Sequence, residues 1–369
     1  MPDHYLPEPA FDHAQLARVG VLLINLGTPA TPTAAALRPY LAEFLSDPRV
    51  VEIPRWLWWP ILHGIILRTR PKKSAAKYAQ IWTRDGSPLK LHTEKLARLL
   101  QGYWANSGRP SLIVESAMRY GQPTIEPALQ RLKQQGCQRI LIVPLYPQYA
   151  ASSTASALDE VYRVLQQMRN MPEIRVIKHF HDHPAYIQAL ATRIQAHWQQ
   201  QGRPDKLVMS FHGVPRFSLD RGDPYHCECH KTARLLATAL SLGKDQYEVA
   251  FQSRFGRAEW LKPYLNDTLQ RLGKGGTGTL DVVCPGFVAD CLETLEEIAL
   301  EGKQTFLSSG GKQYRYIPCL NNEPVWVDAM IAIIEPHLQG WLPAAADAHL
   351  AAEQADQRRA MALAMGAKK

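Results

Sequence analysis

The chain has 369 residues, 46% of them hydrophobic and 21% charged, with 42 Lys and Arg against 34 Asp and Glu. This composition excludes a disordered chain and leaves room for two domains with large cores. The surplus of eight positive charges and a pI near 9.1 favour an anionic partner, but the basic residues are scattered and no zinc-finger spacing or RNA-binding signature occurs, so nucleic acid is not expected.

Residues 1–17 are polar and Pro-containing and read as a loose N-terminal arm without a signal-peptide pattern. Residues 19–26 (VGVLLINL) form a buried strand that ends in the Gly27-Thr28-Pro29 turn. Leu37, Leu41, Phe44 and Leu45 recur at helical spacing over 33–45. The apolar run 56–67 (WLWWPILHGIIL) is too short to span a bilayer and precedes the cations Arg68, Arg70, Lys72 and Lys73. It reads equally as a buried helix, as a ligand wall or as a lip touching anionic lipid.

Further strands are expected at 112–118, 139–145 and 174–180, with helices over 89–104, 124–134 and 152–168 between them. The pattern then restarts. Helices at 183–200, 229–239, 259–272, 290–300 and 323–338 alternate with strands at 206–211, 247–252, 279–284 and 314–317, and an Ala-rich tail follows from 343. Strands that lack polar alternation, each followed by a helix, imply two parallel sheets covered on both faces. We therefore expect an α/β fold of two Rossmann-like domains, 18–180 and 181–342, with a cleft between them. Ligands in such sheets sit beyond the carboxyl ends of the strands. Tyr120-Gly121, Tyr146–Tyr149, His212-Gly213, Gln252–Gly256 and Pro285–Glu293 all fall there.

Three carboxylates, Glu293, Glu297 and Glu301, stand four residues apart just past the strand ending at Cys284, and on an α-helix they would share a face. Local sequence favours a cap for Glu293, with Asp290 as N-cap three residues before it. The other two acids read as a solvated face or as the wall of a site handling cations and protons. His212, directly after a strand and beside Gly213, reads equally as a capping histidine or as an acid, base or ligand. The six cysteines lack CxxC pairs and zinc spacing, and suit free thiols in a reducing cytoplasm. No nucleotide-binding glycine motif and no GxSxG elbow is present.

Six short motifs in order identify a resemblance to the ferrochelatases: Leu23 to Pro29, Met118-Arg119-Tyr120-Gly121, Leu145 to Tyr149, Ser210 to Pro215, Gln252 to Gly256, and Pro285 through Leu295. The resemblance covers about residues 20–338 and is of the Gram-negative bacterial type. It implies insertion of ferrous iron into protoporphyrin IX in the last step of haem synthesis, with the porphyrin held between the two domains. It places the catalytic, metal-meeting pair on His212 and Glu293, and a proton or metal path along a partly π-type helix on Glu297 and Glu301. Leu26, Arg68, Arg70, Ser87, Tyr149, Gln252, Trp260 and Phe287 fall at porphyrin-binding positions. Iron is then a substrate, and no resident cofactor is required. The C-terminal [2Fe–2S] cluster of animal members is not expected, since the last cysteine is Cys319. Cys291 stands where many members carry histidine. The expected setting is a cytoplasmic monomer touching the inner membrane at its periphery. A chelatase for coproporphyrin or a cobalt-accepting tetrapyrrole, and a non-catalytic porphyrin carrier, are the competing readings.

Overall fold

The computed structural model describes residues 5–10, 12–107, 112–256, 258–342 and 345–367. Its framework is two four-stranded parallel sheets. β1 (Arg18–Thr28), β2 (Leu112–Gly121), β3 (Cys137–Pro144) and β4 (Glu173–Val176) lie in the order β2-β1-β3-β4. β5 (Lys206–His212), β6 (Tyr247–Gln252), β7 (Thr279–Val283) and β8 (Gln313–Tyr316) repeat that order as β6-β5-β7-β8. In each half the chain steps from the first strand to one side and returns to the other. The carboxyl ends of β1 and β5 therefore lie at switch points, where parallel sheets open crevices for ligands.

The continuous apolar strands bury both faces, as the lack of alternation predicts. Val19, Val21 and Leu23 point into a core shared with Leu207, Met209, Phe211 and Trp326 of the other half. Leu22 and Ile24 point the opposite way, into a core that belongs to the first half alone. Val208, Leu280 and Val282 fill the corresponding outer core of the second half. Each such side chain contributes about 1.5–3 kcal/mol when removed from water. The largest cluster thus runs through both halves and fixes one against the other. The chain also crosses back near its end: Arg175 donates to the His337 and Gln339 carbonyls, and the Trp341 indole donates to Glu173.

Four expectations change. The arm is not loose over its described residues. Leu6 N–H donates to the Gln167 carbonyl, and the Glu8 carboxylate accepts from the Arg169 and Asn170 amides and from Lys133. The helix expected at 259–272 begins only at Leu265 (Leu265–Lys274), because Pro263 lacks the N–H that an earlier turn would need. The helix expected at 152–168 opens as a π-helical turn, Ala151–Ala155, and runs on as the α-helix Ser156–Leu165, with the Ser156 hydroxyl donating to Asp47. The helix expected at 290–300 opens as a short α-turn, Leu292–Thr294, and continues as a π-helix, Leu295–Gly302, as the resemblance implied and the α-helical spacing did not.

The apolar run 56–67 is helical, with α-helix Arg55–Ile61, π-helix Leu62–Ile66 and α-helix Leu67–Ile81. Trp58, Leu62 and Leu67 are buried, whereas Trp56, Leu57, Trp59, Ile61 and Ile65 are exposed, Trp56 by 75%. One face of the segment is therefore packed in the core and the other is open to solvent. Among the described residues no helix is long and apolar enough to cross a membrane. The tail contains the helix Ala345–Ala364.

Candidate active site

His212 is the last residue of β5, and its Cα partner across the sheet is Gln252, the last residue of β6. The imidazole Nδ1 lies 2.6 Å from the Gly213 carbonyl oxygen. An acceptor there holds the proton on Nδ1 in the neutral ring and leaves the Nε2 lone pair free, the form a base requires. Gly213 donates its N–H to the Gln252 carbonyl over 2.8 Å. A Cβ on Gly213 would stand 2.7 Å from that oxygen and 3.1 Å from the Trp260 ring, so glycine alone permits this closeness. The Phe287 ring centroid lies 6.4 Å from that of His212.

Glu293 sits in the α-turn that follows β7. The cap predicted from Asp290 is not formed. Cys291 is the N-cap, and Thr294 Oγ1 satisfies its N–H at 3.0 Å. The Asp290 carboxylate instead accepts from Thr294, Tyr316 and Asn321 at 3.0, 2.5 and 2.7 Å. That leaves the Glu293 carboxylate to face inward, where its charge acts on Tyr40, Tyr78, Arg70 and Cys291. The Cys291 thiol is buried, and burial followed by the Glu293 charge and a hydrogen bond to it pushes its pKa well up. It therefore stays protonated and serves as a donor to Glu293.

The π-helix explains what becomes of the other acids. Its i→i+5 register aligns residues five apart in place of four. Glu296 and Glu301 accordingly share Lys77, at 2.9 and 2.8 Å, and Glu301 is exposed. Glu297 turns away from them into the cleft. It accepts from the Ser253 N–H at 2.6 Å and from the Ser253 hydroxyl. Burial raises the Glu297 pKa and the Glu293 charge adds to it, while Ser253 and the His212 charge oppose the rise. The wide turn is stabilised where the Tyr314 hydroxyl donates to the Ile298 carbonyl at 2.7 Å. Gly302 leaves room for that hydroxyl, which a Cβ would meet at 2.7 Å.

The expected porphyrin positions divide. Leu26 and Phe287 pack with Leu89, Ala289 and Cys291 into one small apolar cluster between the halves. Ser87 is buried two residues before Leu89, at the start of the helix Pro88–Asn106. The Trp260 indole N–H is buried and lacks a hydrogen-bond partner among the described residues. Arg70 is half-buried over the Phe255 ring at 5.0 Å. Gln252 is buried with its amide committed to protein: Nε2 donates to the Glu293 carbonyl (2.8 Å), and Oε1 accepts from Ser210 (2.7 Å). Arg68 is exposed at the rim. Tyr149 makes its contacts elsewhere, with its N–H on Glu228 and Lys178 over its ring.

Sequence reasoning passed over Tyr40 and Tyr78. Both are buried where the Glu293 charge reaches them, and the Tyr40 hydroxyl donates to the Gly27 carbonyl at 3.2 Å. Tyr40 lies on the same stripe as Leu37 and Leu41, so its one signal was a hydroxyl on a core-facing position.

The profile of the ferrochelatase family matches residues 18–338. The chain is 62% identical to the ferrochelatase of Chromobacterium violaceum over 98% of both chains. It is 61% identical to that of Aromatoleum aromaticum over 92% of this chain and 93% of the other. With the ferrochelatase of Nitrosomonas europaea the identity is 57%, over 98% and 99%. Among solved structures, SirB from Bacillus subtilis with Fe3+ superposes with a TM-score of 0.52 at 15% identity, covering 86% of this chain and 94% of that one; at that identity the likeness concerns the fold.

Proposed function

The chain belongs to the ferrochelatase family, and from that membership we propose that it inserts ferrous iron into protoporphyrin IX to give protohaem. The observation that carries the site assignment is the bonded chain that starts beside His212, from the Gly213 N–H to the Gln252 carbonyl and from the Gln252 amide to the Glu293 carbonyl. It joins the carboxyl ends of two strands and the acid-bearing turn around one apolar cleft.

Metallation replaces the two pyrrole N–H protons of a planar macrocycle with one divalent ion, so two protons must leave. His212 Nε2 accepts a pyrrole proton, with the Gly213 carbonyl stabilising the imidazolium that forms. Glu293, at the other end of the bonded chain, meets the iron or the second proton. Glu297 extends that route, and the rise in its pKa makes it a better proton acceptor than an ordinary carboxylate. Glu301 lies at the outer end, shared with Lys77. Carboxylate and imidazole hold ferrous iron without the permanence of thiolate. The Leu26–Leu89–Phe287 cluster supplies the apolar contact that favours a bent ring with exposed lone pairs, using binding energy from the rest of the macrocycle. Trp260 lines the same cleft in this reading, and Ser87, Arg70 and Arg68 meet the acidic edge of the substrate, while Tyr149 stays with Glu228 and Lys178. No resident cofactor takes part.

The exposed Trp56, Leu57, Trp59, Ile61 and Ile65, beside exposed Arg68, Lys72 and Lys73, suit peripheral contact of a cytoplasmic monomer with an anionic inner membrane. Co-sedimentation with anionic but not neutral vesicles, lost in Trp56→Ser/Trp59→Ser, is the expected result.

The substrate assignment is tested by anaerobic turnover of ferrous iron with protoporphyrin and with coproporphyrin side by side. A higher kcat/KM on protoporphyrin is expected. Preference for coproporphyrin would move the protein to the alternative chelatase activity, and tight porphyrin binding without turnover would make it a carrier.

A further inference from the structure

Away from the cleft, three side chains with metal-binding chemistry converge where the two halves join. His179 and His181 lie on the segment 177–183 that leads out of β4, and Glu228 is on the helix Tyr225–Ala239 of the second half. One donor atom from each lies within 4.8 Å of the others. His179 Nδ1 stands 2.7 Å from Glu228 Oε1, and His181 Nδ1 stands 3.4 Å from Glu228 Oε2. A four-coordinate ion with bonds near 2.0–2.1 Å holds its donor atoms about 3.4 Å apart, so little movement would bring these three to one ion.

The second observation concerns His181. Its side chain is 6% exposed, and its Nδ1 is a buried atom with no hydrogen-bond partner among the described residues, aimed at Glu228. Orphaned buried polar atoms are costly and rare. The cations nearby are otherwise engaged: Lys231 pairs with Asp182, and Lys178 lies over the Tyr149 ring. Glu228 is anchored from the first half by the Tyr149 N–H at 2.7 Å, and Thr232, one turn along, donates to the His181 carbonyl at 2.8 Å. The three donors therefore sit on a braced frame, with His179 exposed enough to admit an ion.

We propose that His179, His181 and Glu228 form an auxiliary site for a late first-row divalent cation, separate from the reaction centre. Two imidazoles and one carboxylate, with a fourth position open to water, suit zinc, cobalt or ferrous iron and not magnesium or calcium. The ion would clamp the exit of β4 to the helix Tyr225–Ala239 and so tie the first half to the second. The proposal does not rest on the reading of the cleft, because it is tested without porphyrin.

The experiment is an anaerobic Co2+ titration of full-length protein carrying His212→Ala and Glu293→Gln, which silence the reaction centre. One equivalent of Co2+ should bind with visible d–d absorption and raise the melting temperature. Adding His179→Gln, at a partly exposed position, should weaken binding at least tenfold and abolish that melting shift while the metal-free fold is retained by circular dichroism. Glu228→Gln should do the same. Absence of Co2+ binding in the silenced protein would overturn the proposal, as would binding that neither variant weakens.

Discussion

The Gln252 side chain donates to the main-chain carbonyl of Glu293 over 2.8 Å and accepts from the Ser210 hydroxyl over 2.7 Å. Because His212 is its partner across β5 and β6, this one buried amide sets the histidine's strand against the acid's turn. Gln252→Leu keeps the volume and removes both bonds, leaving the Ser210 hydroxyl and the Glu293 carbonyl unsatisfied. The expected cost is about 2–4 kcal/mol in urea unfolding. In turnover, kcat should fall about tenfold or more, as a shift of geometry does, with the KM for porphyrin changed less than threefold. An unchanged kcat would reduce Gln252 to packing.

Glu297 supplies a prediction in pH. Burial, against the opposing pull of Ser253 and His212, holds its folded pKa above the ordinary glutamate value. The unfolded chain then gives up that proton at lower pH than the folded one. The group's contribution is complete below the ordinary value and is lost as pH rises through the folded one. Glu297→Gln removes that dependence. Relative to wild type, the variant should gain melting temperature between the ordinary glutamate pKa and the raised one, and hold the gain above it. A difference that stays flat across acid and neutral pH would show that Glu297 is not a buried, shifted acid.

Gly213→Ala tests the closeness of the strand ends. The new Cβ meets the Gln252 carbonyl at 2.7 Å and the Trp260 ring at 3.1 Å, and the carbonyl belongs to backbone that cannot swing aside. Destabilisation of about 1–3 kcal/mol is expected, together with loss of turnover as His212 is displaced. Stability and activity both equal to wild type would mean that the sheet ends are looser than described.

The cysteines divide sharply by reactivity. Cys227 is exposed, whereas Cys137, Cys229, Cys284, Cys291 and Cys319 are buried with burial raising each pKa. Brief alkylation of the native protein at pH 8, read by peptide mass spectrometry, should label Cys227 and spare Cys291. Rapid labelling of Cys291 would contradict its place as a protonated donor to Glu293.

The architecture was legible because apolar strand patterns and turn residues recur twice along the chain, and the identical strand orders of the two sheets follow from that repeat. Placing the motifs at strand ends also succeeded, since His212 and Gln252 do close adjacent strands. The arrangement of the acids was not legible. A spacing of four implies a shared α-helical face, but the π register over Leu295–Gly302 pairs Glu301 with Glu296 and turns Glu297 toward Ser253. Periodicity cannot announce the π register, which only the family resemblance implied, because it depends on tertiary contacts such as Tyr314 to Ile298. Tyr40 and Tyr78 were hidden for a related reason: on an amphipathic stripe a buried tyrosine looks like any other core residue. His179, His181 and Glu228 are brought together by the join between halves, which no local pattern encodes.

The most direct test is anaerobic single-turnover iron insertion by His212→Ala, with protoporphyrin affinity measured in parallel by fluorescence quenching. If the Nε2 opposite the Gly213-bonded Nδ1 takes a pyrrole proton, insertion should slow by about 10²–10⁴-fold, with porphyrin affinity within threefold of wild type. Insertion at the wild-type rate by a protein that binds porphyrin normally would contradict it.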